Sequence, residues 1–205
     1  MHNVMEQGEL SMAFDYRNDK RSIRSKKLLK EALFELLYEK EWRSITIQDL
    51  TKKANLNRST FYQHYENKYD LLGQNVEDLF HSLKETVLSA RIDHSSTETI
   101  SYGYLLAFYQ HLKAQSYYFK VILNRGYELD IMELFTDIVQ EVMGQVVNVQ
   151  QSINGVPAEI HWRYSIAAHF SVASWWLQND FPYSPEFMAE AVLKMTKEAK
   201  YHALL

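Results

Sequence analysis

The chain has no cysteine, and only three prolines and six glycines among its 205 residues. Without cysteine there are no disulfides and no thiolate metal sites. No run of about 18 apolar residues is present, so no membrane span is expected. The opening MHNVMEQGELSMAFDYRNDK lacks a basic stretch followed by an apolar one, so it does not read as a secretory signal. A reduced, cytoplasmic setting fits these absences. The few glycines are scattered and build no phosphate-cradling loop. No nucleophile motif or Ser/His/Asp order stands out. His161 and His169 lie eight residues apart, too far along one helix to share a metal unaided. No catalytic residue, metal ligand or cofactor is assigned, and the chain does not read as an enzyme.

What is present is helical patterning from end to end. The expected class is all-α, about nine helices in all. A three-helix N-terminal bundle is followed by a larger helical domain. Residues 1–21 are polar and aperiodic and read as a flexible arm. Residues 22–68 read as the first domain and 69–205 as the second, with the polar segment Asp93–Thr97 marking a border. The net charge of −4 hides an asymmetry. From Arg17 to Lys68 there are 13 Lys/Arg against 7 Asp/Glu, leaving 9 against 19 elsewhere. A basic end on an acidic body suits nucleic-acid binding through that end. Charges also cluster on solvated surfaces without function. Arg17, Lys20 and Arg21 suit a phosphate backbone or a minor groove, or they stand free in solution.

The stretch TIQDLTKKANLNRSTFYQHYENK, residues 46–68, organises the rest. Thr46 and Asp49 have capping-box spacing. Ile47, Leu50 and Ala54 repeat at helical intervals. Asn55 tolerates a left-handed backbone and Leu56 can plug the core between two helices. Asn57 suits the cap of a second helix, Arg58 to Tyr65, which buries Phe61 and Tyr65. Arg58, Ser59, Thr60, Tyr62, Gln63 and His64 then face outward. Such a helix presents hydrogen-bonding groups to base edges in a major groove. Thr60, Tyr62 and Lys68 are of the kinds that hold phosphates. A solvated helical hairpin with an idle polar face would show the same spacing. Ahead of it, Leu29, Leu33, Leu36 and Leu37 form an apolar stripe on a first helix from Ser22 to about Lys40. Beyond it, a fourth helix is expected from Asn67 to about Ala90, with Tyr69, Leu72, Val76, Leu79, Phe80 and Leu83 on its buried side.

Residues 22–72 resemble the DNA-binding domain of the TetR/AcrR family of transcriptional regulators. The resemblance rests on the amphipathic first helix, on ITIQDLTKKANLNRSTFYQHY and on the following NKYDLL, about a quarter of the chain. It implies a second motif helix in the major groove and binding to an operator as a homodimer. It further implies base contacts from Gln48, Arg58 and Gln63. Phosphate or mixed contacts are implied for Thr46, Ser59, Thr60, Tyr62, His64 and Lys68. The family turn usually reads Ala-Gly-hydrophobe-Ser; here it is Ala54-Asn55-Leu56-Asn57. Asn replaces Gly at modest cost in a left-handed position. The tail WWLQNDFPYSPEFMAE is similar to the end of the regulatory domain in many Gram-positive members.

For the second domain the sequence suggests helices near residues 100–112, 117–123, 127–149 and 158–177, and a last one opened by Ser184-Pro185. Asn154-Gly155-Val156-Pro157 reads as a turn. Two tasks are expected, pairing and sensing. Ala167, Ala168, Ser171, Val172, Ala173, Ser174 and Trp175 form a helix surface suited to close helix–helix contact. With Ala191 and Met195 of the last helix, the resemblance implies a four-helix dimer interface. The same residues could simply close an intramolecular core. The aromatics Tyr102, Tyr104, Phe108, Tyr109, Tyr118, Phe119, Tyr127 and Trp162 suit the walls of an apolar effector pocket, or plain core. A ligand-responsive repressor is the expected function. An activator whose second domain binds a protein coactivator is the alternative.

Overall fold

The computed structural model describes residues 3–90, 97–125, 131–146, 152–153 and 156–202. Among the described residues it has nine α-helices and one short antiparallel ladder. In the ladder Ser152 stands opposite Pro157 and Ile153 opposite Val156. No helix of the described residues is long and apolar enough to cross a membrane. The chain divides into two compact units, Met1–Asn75 and Val76–Leu205.

The first unit holds α1 (Asn3–Glu39), α2 (Ile47–Lys53), α3 (Arg58–Tyr62) and the start of α4 (Lys68–Leu88). Helix α1 begins far ahead of the expected Ser22. Helix formers such as Met5, Glu6, Gln7, Leu10, Met12 and Ala13 carry it, and the first proline of the chain is Pro157. The segment 1–21 is therefore helical from Asn3, though most of its side chains lie outside the described residues. The stripe Leu29, Leu33, Leu36 and Leu37 is buried together with Phe34, Ile45, Leu50, Phe61 and Tyr65. Phe34 lies off the expected stripe and is fully buried. Trp42, in the 3-10 turn Trp42–Ser44 that links α1 to α2, is also in the core. Lys53 at the end of α2 pairs with Glu35 and Glu39 of α1 at 3.0 and 2.8 Å.

Helix α4 opens on Asn67, whose Oδ1 accepts the Tyr69 and Asp70 N–H groups at 2.8 and 3.1 Å. Leu72, Val76, Leu79, Phe80 and Leu83 are buried along it. Tyr69, expected among them, is instead 54% exposed and stands edge-on to Trp42. The division between the units falls inside α4, beside Gly73 and Asn75. Asn75 is buried and its amide donates back to the Leu71 carbonyl at 2.8 Å. Residues 93–96 lie outside the described residues.

The second unit contains α5 (Thr97–Ala114), α6 (Ser116–Arg125), α7 (Ile131–Val146), α8 (Ala158–Gln178) and α9 (Pro185–His202). Helix α5 packs along α9, and α8 along α6 and α7. Ser184 caps α9, accepting from the Phe187 N–H at 3.2 Å. Trp176 is fully buried and donates its indole N–H to the Tyr183 carbonyl at 2.9 Å. Tyr109 and Phe181 meet it edge-on at 5.2 and 4.9 Å. Asp180 and Phe181, just after α8, both take positive φ of 58°.

Candidate nucleic-acid interface

The motif is built from local rules. Thr46 has extended backbone and its Oγ1 accepts from the Asp49 N–H at 3.1 Å. The Asp49 carboxylate accepts the Thr46 N–H at 2.9 Å and its hydroxyl at 2.8 Å. This completes the capping box and satisfies donors that the first helical turn leaves open. Lys40 adds an ion pair to Asp49 at 2.9 Å. The Lys40 ammonium, then the Thr46 N–H and hydroxyl, hold the Asp49 carboxyl at about 2. At the other end of α2, Asn55 has φ of 52°. Its N–H reaches the Lys52 carbonyl at 3.2 Å and the Leu56 N–H reaches Thr51 at 2.9 Å. These two bonds are the Schellman pattern, which needs a left-handed residue at this place.

Asn57 precedes α3 with extended backbone, but its side chain makes no capping bond. The Asn57 carbonyl accepts from the Thr60 and Phe61 N–H groups at 3.0 and 3.3 Å, the first backbone bonds of the helix. Helix α3 ends at Tyr62 rather than Tyr65, and Gln63 and His64 continue it as a turn. Phe61 and Tyr65 are buried as expected. Arg58, Ser59, Tyr62 and Gln63 are exposed, as is Gln48 in α2; Thr60 and His64 are half-buried. Arg58 donates to the Tyr62 hydroxyl at 3.3 Å, so the guanidinium is laid along its own helix. Partial burial, and then the Lys26 charge, push the His64 imidazole below its ordinary range. That favours a neutral ring with one donor and one acceptor.

Two expected contacts are placed differently. The Thr46 hydroxyl donates to the Asp49 carboxylate at 2.8 Å within its own unit. The Lys68 ammonium donates to the carbonyls of Ile45 and Trp42 at 2.9 and 3.0 Å, and lies 4.4 Å from the Trp42 ring centre. It closes the link between α1 and α2 instead of pointing off the unit. The Lys68 arrangement is not written in the local pattern, because Lys68 and its acceptors are more than twenty residues apart.

The structure adds a groove to the first unit. It encloses about 450 Å³ between Arg21, Arg24 and Leu28 of α1 and Leu56, Thr60 and Gln63 of the motif. In the second unit an apolar void of about 20 Å³ lies among Phe80, Phe108, Phe119, Phe135 and Phe170. Of the expected pocket residues, Phe108 and Phe119 line it. Tyr104 and Tyr109 are core residues away from it, and burial pushes the Tyr109 hydroxyl up. Trp162 is half-buried and does not line it, and Tyr127 lies outside the described residues. On α8 and α9, Ala168, Ser171, Trp175 and Met195 are exposed and Val172 and Ala191 half-buried; Ala173 is core.

An N-terminal helix-turn-helix with an outward polar second helix defines a DNA-binding regulator of the helix-turn-helix class. Residues 29–74 match the model of bacterial regulatory proteins of the tetR family, and residues 98–198 match a transcriptional regulator C-terminal region. The chain belongs to the TetR family of transcriptional regulators, which are not enzymes. Among characterised and uncharacterised relatives, it is 23% identical over 180 residues to the HTH-type regulator YxbF of Bacillus subtilis, covering 86% of this chain and 46% of that one. It is 29% identical to IcaR of Staphylococcus epidermidis, a negative regulator of a biofilm operon, covering 36% of this chain and 39% of IcaR. It is also 29% identical to DhaS of Lactococcus lactis, an operon activator, covering 35% and 38%. The chain thus spans less than half the length of each of these relatives. A TetR regulator structure from Streptococcus agalactiae superposes with a TM-score of 0.61 at 24% identity, covering 88% of this chain and 98% of that one. FadR of Bacillus subtilis in complex with stearoyl-CoA superposes with a TM-score of 0.59 at 12% identity, covering 82% and 96%.

Proposed function

We propose that the protein is a ligand-responsive repressor that binds a pseudo-palindromic operator as a homodimer in the cytoplasm. One observation carries the DNA-reading part: Arg58, Ser59 and Tyr62 stand exposed along one short helix, and Gln63 just past its end, while Phe61 on the opposite side is sealed in the core. Arg58, Gln63 and Gln48 are the base-reading side chains. Ser59, Thr60, Tyr62 and His64 hold the backbone. Two such helices would enter successive major grooves roughly 34–36 Å apart. Pairing is supported by the apolar surface of α8 and α9, where Tyr164, Trp175, Phe187 and Met195 are 72, 46, 50 and 51% exposed. Selection of bound sites from genomic DNA, followed by Arg58→Ala, tests the reading. The variant should lose about 1–3 kcal/mol and relax preference at one base position per half-site. Unchanged affinity and preference would remove Arg58 from the reading helix.

The effector of this proposal is a small apolar or aromatic molecule, in keeping with the apolar lining of the void. A second reading, activation through a protein coactivator, is favoured by the small void and by the activator DhaS among the relatives. Thermal shift with apolar compounds against co-purification of a protein partner separates the two.

A further inference from the structure

Helix α1 presents Arg21, Arg24 and Leu28 on one face of the groove, three and four residues apart. Both arginines are exposed, and among the described residues no carboxylate pairs with either. Two like charges one turn apart on a helix repel, and a bound anion relieves that repulsion. No acidic side chain lines the groove. Its floor is Leu28, Ala54 and Leu56, and the Ser25 hydroxyl is already bonded to the Arg21 carbonyl at 2.9 Å. A free inorganic anion would need a cup of donors. A phosphodiester with its deoxyribose carbons suits arginines above an apolar floor. Thr60 and Gln63 line this groove and also belong to the polar edge of α3, so a strand lying in it is continuous with bases read by that helix.

We propose that the groove between α1 and the motif is a phosphodiester subsite, seating the strand beside the major groove, with Arg21 and Arg24 as its phosphate ligands. The proposal rests on the reading of α3 as the recognition helix and extends the protein's footprint past it. Arg21→Ala/Arg24→Ala, Arg21→Lys/Arg24→Lys and the unaltered full-length protein are titrated with operator and with random duplex over a range of salt. The double alanine variant should bind both duplexes about tenfold or more weakly, by one common factor, and its salt slope should fall by about 2, near 0.9 per phosphate lost. The lysine variant should keep the slope. All three should melt at one temperature, because neither arginine is in the core. Unaltered protein that binds no duplex would defeat the reading of α3 itself. A double alanine variant with normal affinity and slope would defeat the subsite alone. A selective loss of operator over random duplex would assign the arginines to bases and overturn the phosphate role.

Discussion

Lys68 sits over Trp42, its ammonium 4.4 Å from the ring centre and 3.0 Å from the Trp42 carbonyl oxygen. One side chain thus ties the first turn of α4 to the link between α1 and α2. Hydrogen bonds from a charged donor contribute about 1.5–3 kcal/mol, less when partly solvated. Lys68→Met should therefore destabilise the first unit by about 1–2 kcal/mol in urea melts. The salt slope of DNA binding should stay where it is, because the lost charge faces carbonyls. A flattened slope with unaltered stability would return Lys68 to the phosphates.

Tyr62 has two tasks in this geometry. Its hydroxyl accepts from Arg58 at 3.3 Å, and it is half-exposed on the polar edge proposed to read DNA. Tyr62→Phe should weaken binding to every duplex, and also blunt discrimination at the base position assigned to Arg58. Competition assays against single-base operator variants measure both effects. A uniform loss with full discrimination would mean that the Arg58–Tyr62 bond does not position the guanidinium.

Asp49 makes the first unit sensitive to acid. Its carboxyl titrates at about 2 in the folded chain, below the ordinary 3.8. The folded state therefore takes up a proton less readily than the unfolded one. This contribution is complete above about pH 4 and is lost as pH falls through about 2. Asp49→Asn should be less stable than the parent near neutral pH, and the gap should close between those two values. Denaturant midpoints across acid pH check this, and a gap independent of pH would contradict it.

Gly73 lies inside α4, and a methyl group added there meets nothing within 4 Å. Gly73→Ala should stabilise the protein by about 1 kcal/mol, through restricted unfolded chain and better helix propensity. Asn55 is the opposite case, with φ of 52°. Asn55→Gly should be tolerated, whereas Asn55→Val should cost about 1–2 kcal/mol or more, since a β-branched side chain resists that backbone. Thermal melts of the three variants give the order directly.

The motif was legible because its rules are local. The capping box of Thr46 and Asp49, the left-handed Asn55, the leucine stripe of α1 and the Ser184-Pro185 start of α9 are each decided within a few residues. Phe34, Tyr69 and Lys68 were not, because partners distant in sequence decide their surroundings. Thr46 is instructive: its oxygen accepts from the Asp49 N–H as spacing suggests, and its hydroxyl donates to the same Asp49 carboxylate. The groove beside Arg21 and Arg24 had only a weak signal, basic residues near the first helix, since its far wall comes from another helix. The aromatic content of the second unit could not distinguish walls from filling: Phe108 and Phe119 line the void, whereas Tyr104 and Tyr109 are core residues that do not.

A hollow of about 20 Å³ has room for little more than one water. In the proposed reading, an effector of ordinary size seated there would need the helices around Phe108, Phe119 and Phe135 to part. If only about one molecule in a hundred were open at a given moment, the measured dissociation constant would be about a hundredfold weaker than that of the open form. Sensitivity to such an effector would then be set as much by how loosely these rings interlock as by any contact the effector makes.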